Sequence, residues 1–127
     1  MSSKESTLSD AEVADRLARL PGWRYDRGWL RREYRTEGWQ STLLLVNAIG
    51  FLAEAAYHHP DLAVSWARLE VKLMTHSAGG ITEKDIALAE RIDAVVLWSP
   101  EPSSTLTGPP KPLVRGQHTC ATQIGRA

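Results

Sequence analysis

The stretch Leu62-Ala63-Val64-Ser65-Trp66-Ala67-Arg68-Leu69-Glu70-Val71-Lys72-Leu73-Met74 decides the fold. Leu62, Val64 and Trp66 alternate with Ala63, Ser65 and Ala67, and Leu69, Val71 and Leu73 alternate with Glu70, Lys72 and Met74. Period-two alternation puts one side chain set on a buried face and the other in solvent, so these are two half-buried strands. Pro60 stands just before them and biases His59 towards extended backbone, which closes whatever helix precedes it. That helix runs from Trp39 to about Tyr57. Leu43, Leu44, Leu45, Val46, Ile49, Phe51 and Leu52 wrap well past one narrow stripe, so two of its sides need covering.

Working outward, Ala78-Gly79-Gly80 ends the second strand, and Thr82 caps a last helix in which Leu88, Ile92, Val95 and Val96 share a face. Upstream, Ser9-Asp10-Ala11-Glu12 has the spacing of a capping box. Val13, Leu17 and Leu20 follow at helical intervals until Pro21-Gly22. Two short strands, Trp23 to Tyr25 and Trp29 to Thr36, are joined by Asp26-Arg27-Gly28, where glycine supplies a positive φ. The run Arg31-Arg32-Glu33 interrupts their alternation and leaves the register open. The order α-β-β-α-β-β-α predicts an α+β two-layer sandwich, with a four-stranded antiparallel sheet packed against helices.

The domain so delimited covers residues 8–98. Residues 99–127 hold five of the seven prolines among Ser, Thr and Gly and show no periodicity, which predicts a mobile or loosely docked tail. With 127 residues the chain is one domain's worth. Fifteen basic residues offset fifteen acidic ones, so no net field draws it to nucleic acid or an anionic membrane. The cluster Arg27, Arg31, Arg32 and Arg35 reads as a solvated hairpin face, because Glu33 and Glu37 are interleaved with it. The apolar stretch Leu43 to Ala56 is interrupted by Asn47 and Glu54 and is too short to span a bilayer. The start is polar, and Cys120 has no partner for a disulfide, so a cytoplasmic location is expected.

Three of four histidines, His58, His59 and His76, fall within nineteen residues. Glu54 precedes His58 by one helical turn, which would let carboxylate and imidazole meet on one face. Taken alone, His58 and His59 also suit a helix C-terminus, and Thr82-x-x-Asp85 also suits a capping box. A zinc site is disfavoured, since adjacent histidines straddling a helix end are poorly placed to converge on one ion.

Glu54-x3-His58-His59-Pro60, five residues to Trp66, nine to His76 and eight to Asp85 resembles the signature of the pterin-4a-carbinolamine dehydratases. That family includes a dimerization cofactor of a homeodomain transcription factor. The resemblance implies loss of water from 4a-hydroxytetrahydrobiopterin to give the quinonoid dihydropterin, in tetrahydropterin recycling. It implies no metal and no other cofactor. His58, His59 and His76 would be the catalytic set, with His59 and His76 moving protons and His58 holding substrate. Glu54 would orient His58, Pro60 would fix the backbone, Asp85 would hold a histidine or loop, and Trp66 would offer a flat wall to the ring. The only partners expected are the pterin and further copies of the chain, as a homodimer or homotetramer. The alternative is a non-catalytic module on the same fold, like the transcription cofactor or Rubisco assembly factors.

Overall fold

The computed structural model describes residues 6–116. The elements, in order, are α1 Asp10–Leu17, β1 Arg24–Asp26, β2 Trp29–Arg35, α2 Trp39–Ala56, β3 Asp61–Ser65, β4 Arg68–Leu73 and α3 Glu83–Val96. The α+β order read from the sequence is the order found. All four strands pair antiparallel as β1-β2-β4-β3, so the two hairpins join through β2 and β4.

Local chemistry sets most of these boundaries. Ser9 and Glu12 exchange reciprocal hydrogen bonds with each other's backbone N–H, completing the box that starts α1. The β1–β2 turn places both Arg27 and Gly28 at positive φ (50° and 82°), the geometry that matches the twist of a two-residue hairpin. Gly22, at φ +95°, is needed for a further reason: a Cβ there would lie 1.8 Å from the Arg32 guanidinium.

The register of β2 resolves the Arg31-Arg32-Glu33 run. Leu30 pairs with Leu73 and Tyr34 with Leu69, and all four side chains are buried beneath the helices. Arg32 falls between Leu30 and Tyr34 on that same inner face. This corrects the expectation of a wholly solvated arginine cluster. Its guanidinium lies over the Tyr34 ring, 4.6 Å from the centroid, and donates to the Pro21 carbonyl. Arg31, Glu33 and Arg35 lie on the opposite face, where Arg31 faces Glu70, and Arg35 and Arg68 face Glu33. An antiparallel sheet with one wet face accommodates that pattern.

The core lies between the inner sheet face and the helices: Leu30, Tyr34, Leu69, Val71 and Leu73 against Leu45 and Ile49 of α2 and Ile86, Ala89 and Ile92 of α3. Asp93 of α3 accepts from the Trp23 indole (3.0 Å) and the Tyr34 hydroxyl (2.5 Å), fastening α3 to the first hairpin. The outward side of α2 stays uncovered, with Leu44 at 52% and Phe51 at 72% exposure. Residues 99–116 return to the sheet. Val114 is buried, pairs with Thr36 just beyond β2, and is followed by Arg115, whose N–H donates to the Arg35 carbonyl at 2.7 Å. His118 and Cys120 lie outside the described residues. Among the described residues no helix is long and apolar enough to cross a membrane.

Candidate active site

The candidate residues are delivered by the end of α2, the start of β3, the turn after β4 and the first turn of α3. Helix α2 stops at Ala56 because Tyr57 takes left-handed angles (φ 55°, ψ 45°), after which the His58 N–H donates to the Ala53 carbonyl at 3.0 Å. This is the hydrogen bond of a Schellman-type helix end, with a tyrosine where glycine is usual. The chain therefore leaves the helix axis one residue before the histidine pair.

That turn decides which carboxyl each imidazole meets. His58 is folded under the domain, its side chain 12% exposed, and its Nε2 lies 2.6 Å from Oδ1 of Asp85, which is fully buried. His59 stays outside at 53% exposure, with its Nε2 2.9 Å from Oε1 of Glu54. The expected Glu54–His58 pair is thus replaced by Glu54–His59 and Asp85–His58. The i,i+4 rule that suggested it applies only while the helix continues, and the helix has already ended. The Tyr57 ring meets His59 edge-on, with centroids 5.6 Å apart.

Asp85 is the hub. Its Oδ2 accepts from the Thr75 hydroxyl at 2.8 Å and from the Thr82 N–H at 2.9 Å, while Oδ1 takes His58. The Thr75 hydrogen is committed to Asp85, so the Thr82 hydroxyl donates to Thr75 Oγ1 across 2.8 Å. The capping box of α3 is present as the sequence suggested, and the same carboxyl also anchors an imidazole. A buried carboxyl with this many partners fixes the His58 ring orientation and its tautomer: Asp85 accepts, so Nε2 carries the hydrogen.

His76 follows Thr75 directly, so the Asp85 network joins its segment to His58. The turn is held by a bridge between Thr75 and Gly80. His76 itself is exposed and packs edge-on against Trp29, centroids 5.7 Å apart, while the Lys72 ammonium sits 4.5 Å from the Trp29 ring centre. Pro60 leads straight into β3, whose pairing of Asp61 with Lys72 brings the His58-His59 end of the chain to the His76 end of β4. No hydrogen bond or ring contact joins the three imidazoles directly among the described residues.

Trp66 is not brought to them. Five strand residues separate it from Pro60, roughly 17 Å of extended chain, and its ring lies instead against Gly38 at the start of α2. Trp29 becomes a neighbour of His76 only through the fold, and Tyr57 and Thr75, though adjacent to histidines in the chain, carry no motif that marks them.

Beside His58, α2 and α3 frame a cleft of about 480 Å³. Leu52, Ala55 and Ala56 form one wall, Lys84, Ala87, Leu88 and Arg91 the other. Of the three candidate histidines only His58 lines it. Among the described residues, no group of three His, Cys, Asp or Glu side chains is placed to hold a metal ion.

Several known proteins are similar to this chain. A protein of Aquifex aeolicus that carries the dehydratase name is 51% identical over 89 residues, which is 70% of this chain and 90% of that one. A similarly named protein of Chloroflexus aurantiacus is 43% identical over 89 residues, covering 70% of this chain and 96% of its own. The crystal structure of a transcriptional coactivator/pterin dehydratase from Brucella melitensis superposes with a TM-score of 0.67 at 27% identity, over 70% of this chain and 97% of that one. A pterin dehydratase-like protein described as a RuBisCO assembly factor of the alpha-carboxysome shares the fold at 21% identity, with a TM-score of 0.50 over 57% of this chain and 87% of its own. The family model for pterin 4 alpha carbinolamine dehydratase matches residues 6–95, the span that carries all four strands, α1, α2, α3 up to its last residue and the whole histidine–Asp85 network, and the chain belongs to that family.

Proposed function

We propose that the protein catalyses dehydration of 4a-hydroxytetrahydropterins to quinonoid dihydropterins. In this reaction the C4a–oxygen bond breaks, N5 loses its proton, and the departing hydroxyl gains one and leaves as water. The electron pair of the N5–H bond becomes the new C=N bond, so no net oxidation or reduction occurs. Two proton transfers near neutral pH suit imidazoles, whose ordinary pKa of about 6.5 lets each act as acid or base.

The observation that carries this reading is the buried Asp85, which ties His58 on one segment to Thr75, the neighbour of His76, on another. His58 is immobilised and suits substrate positioning. His59 and His76 are solvent-facing and suit proton exchange, with Glu54 orienting His59 through the 2.9 Å contact. The reaction belongs in the cytoplasm, in recycling of tetrahydrobiopterin-type cofactors. A second copy of the chain covers the Leu44 and Phe51 side of α2, giving a homo-oligomer.

The test is loss of chemically generated carbinolamine, followed by chromatography. Wild type accelerates it, and a His59→Ala, His76→Ala double variant loses at least about a hundredfold of the acceleration, the lower range for general acid–base groups. No acceleration by wild type would remove the enzymatic reading and leave a binding module on the same fold, whereas equal acceleration by the two proteins would remove His59 and His76 from the catalytic set.

A further inference from the structure

We propose that the α2–α3 cleft seats an anionic substituent of the pterin, a carboxylate or phosphate carried on its side chain, gripped by Arg91. The inference rests on the dehydratase reading above and narrows its substrate class. Its volume, about 480 Å³, is that of a small-molecule site, and its lining is apolar apart from a few polar groups. Alanines 55, 56 and 87 contribute only methyl groups to the facing walls, which leaves width for a flat ring.

The cleft has a direction. His58 marks one end, because its ring is tied to Asp85 in the first turn of α3. Arg91 lies on the same helix side as Lys84, seven residues and roughly 10 Å further along. A ring whose reacting carbon sits by His58 therefore projects its side chain towards a guanidinium.

The charge balance favours an anion there. The carboxylates nearest in sequence are engaged elsewhere: Glu83 pairs with Arg16, Glu90 with Arg19 and Glu54 with His59, and Asp93 accepts from Trp23 and Tyr34. Asp85 is spent on His58, Thr75 and Thr82. Arg91 has no carboxylate partner among the described residues. A guanidinium at a half-enclosed apolar wall recognises carboxylate or phosphate by paired charge-assisted hydrogen bonds.

Pterin fluorescence supplies the test. At low salt, 6-carboxypterin binds about tenfold more tightly than the neutral 6-hydroxymethylpterin. Arg91→Met brings the two to parity, whereas Arg27→Met, at an exposed arginine of the β1–β2 turn, preserves the preference. Equal affinities in wild type, a preference that survives Arg91→Met, or one that Arg27→Met also abolishes would each overturn the proposal. Dehydration of neutral and carboxylated carbinolamines at equal kcat/KM would also overturn it while leaving the dehydratase reading intact. Acceleration of neither would remove that reading instead.

Discussion

At Tyr57 a single residue sets the chemistry of the site. Left-handed angles cost an L-residue with a Cβ roughly 1–2 kcal/mol, and tyrosine has no side-chain hydrogen bond to its own backbone to offset that. The residue is 81% exposed, so burial offers little in return. Its ring does contact His59, the imidazole assigned to proton transfer. Tyr57→Gly is expected to raise stability to chemical denaturation by about 0.5–1 kcal/mol, since glycine adopts the turn freely but loses more chain entropy on folding. The same change frees the His59 ring and lowers kcat in the carbinolamine assay. A stability gain with unchanged kcat would leave Tyr57 a purely structural turn. The histidines themselves were legible because they sit at fixed intervals in the chain. Asp85 as the holder of a histidine or loop came with the family resemblance, but which histidine it meets did not, and the Glu54–His58 pairing assumed a helix that Tyr57 terminates.

Between elements, the fastening of α3 to the first hairpin depends on Asp93. Burial raises its carboxyl pKa above the ordinary 3.8, opposed by hydrogen bonds from Tyr34 and Trp23 and the nearby Arg32 charge. The same surroundings push the Tyr34 hydroxyl upwards, burial first and the Asp93 charge second. A carboxyl raised in the folded state favours the protonated form there. Its contribution is fully present below pH 3.8 and is lost as pH rises through the elevated value. The stability margin of wild type over Asp93→Asn should therefore be widest near pH 3.5 and shrink towards neutrality. Denaturant titrations of both proteins across that range check it. A margin that widens with pH would mean the charged form is the better-held one. The hairpins and the capped helices were legible at this scale from alternation and cap spacing. The inward turn of Arg32 was not, since three consecutive charged residues carry no sign of which face is buried.

For the molecule as a whole, the segment beyond the family match becomes part of the fold. Val114 fills a place beside Thr36 in the core, and Arg115 pairs with Glu37. Burying one valine side chain contributes about 1.5–3 kcal/mol. Removing residues 99–127 should thus cost about 2 kcal/mol and lower Tm by several degrees, while the carbinolamine rate at moderate temperature changes little, because the docking point lies at the Trp66 end of the sheet. Calorimetry of the shortened chain beside wild type measures the first, and chromatography the second. An unchanged Tm would show that the 99–116 return contributes nothing to stability.

What the sequence determined by itself was everything governed by neighbours along the chain: helices by apolar spacing and caps, strands by alternation, and the family by a signature spread over Glu54 to Asp85. Tertiary structure alone decided the pairings. Asp85 meets His58 and Thr75, Trp66 is carried away from the histidines by an extended strand, and Val114 is buried although its surroundings show no period. The physical reason is that local preferences fix where the backbone turns, while the partner a side chain meets is set by segments packed together from distant parts of the chain.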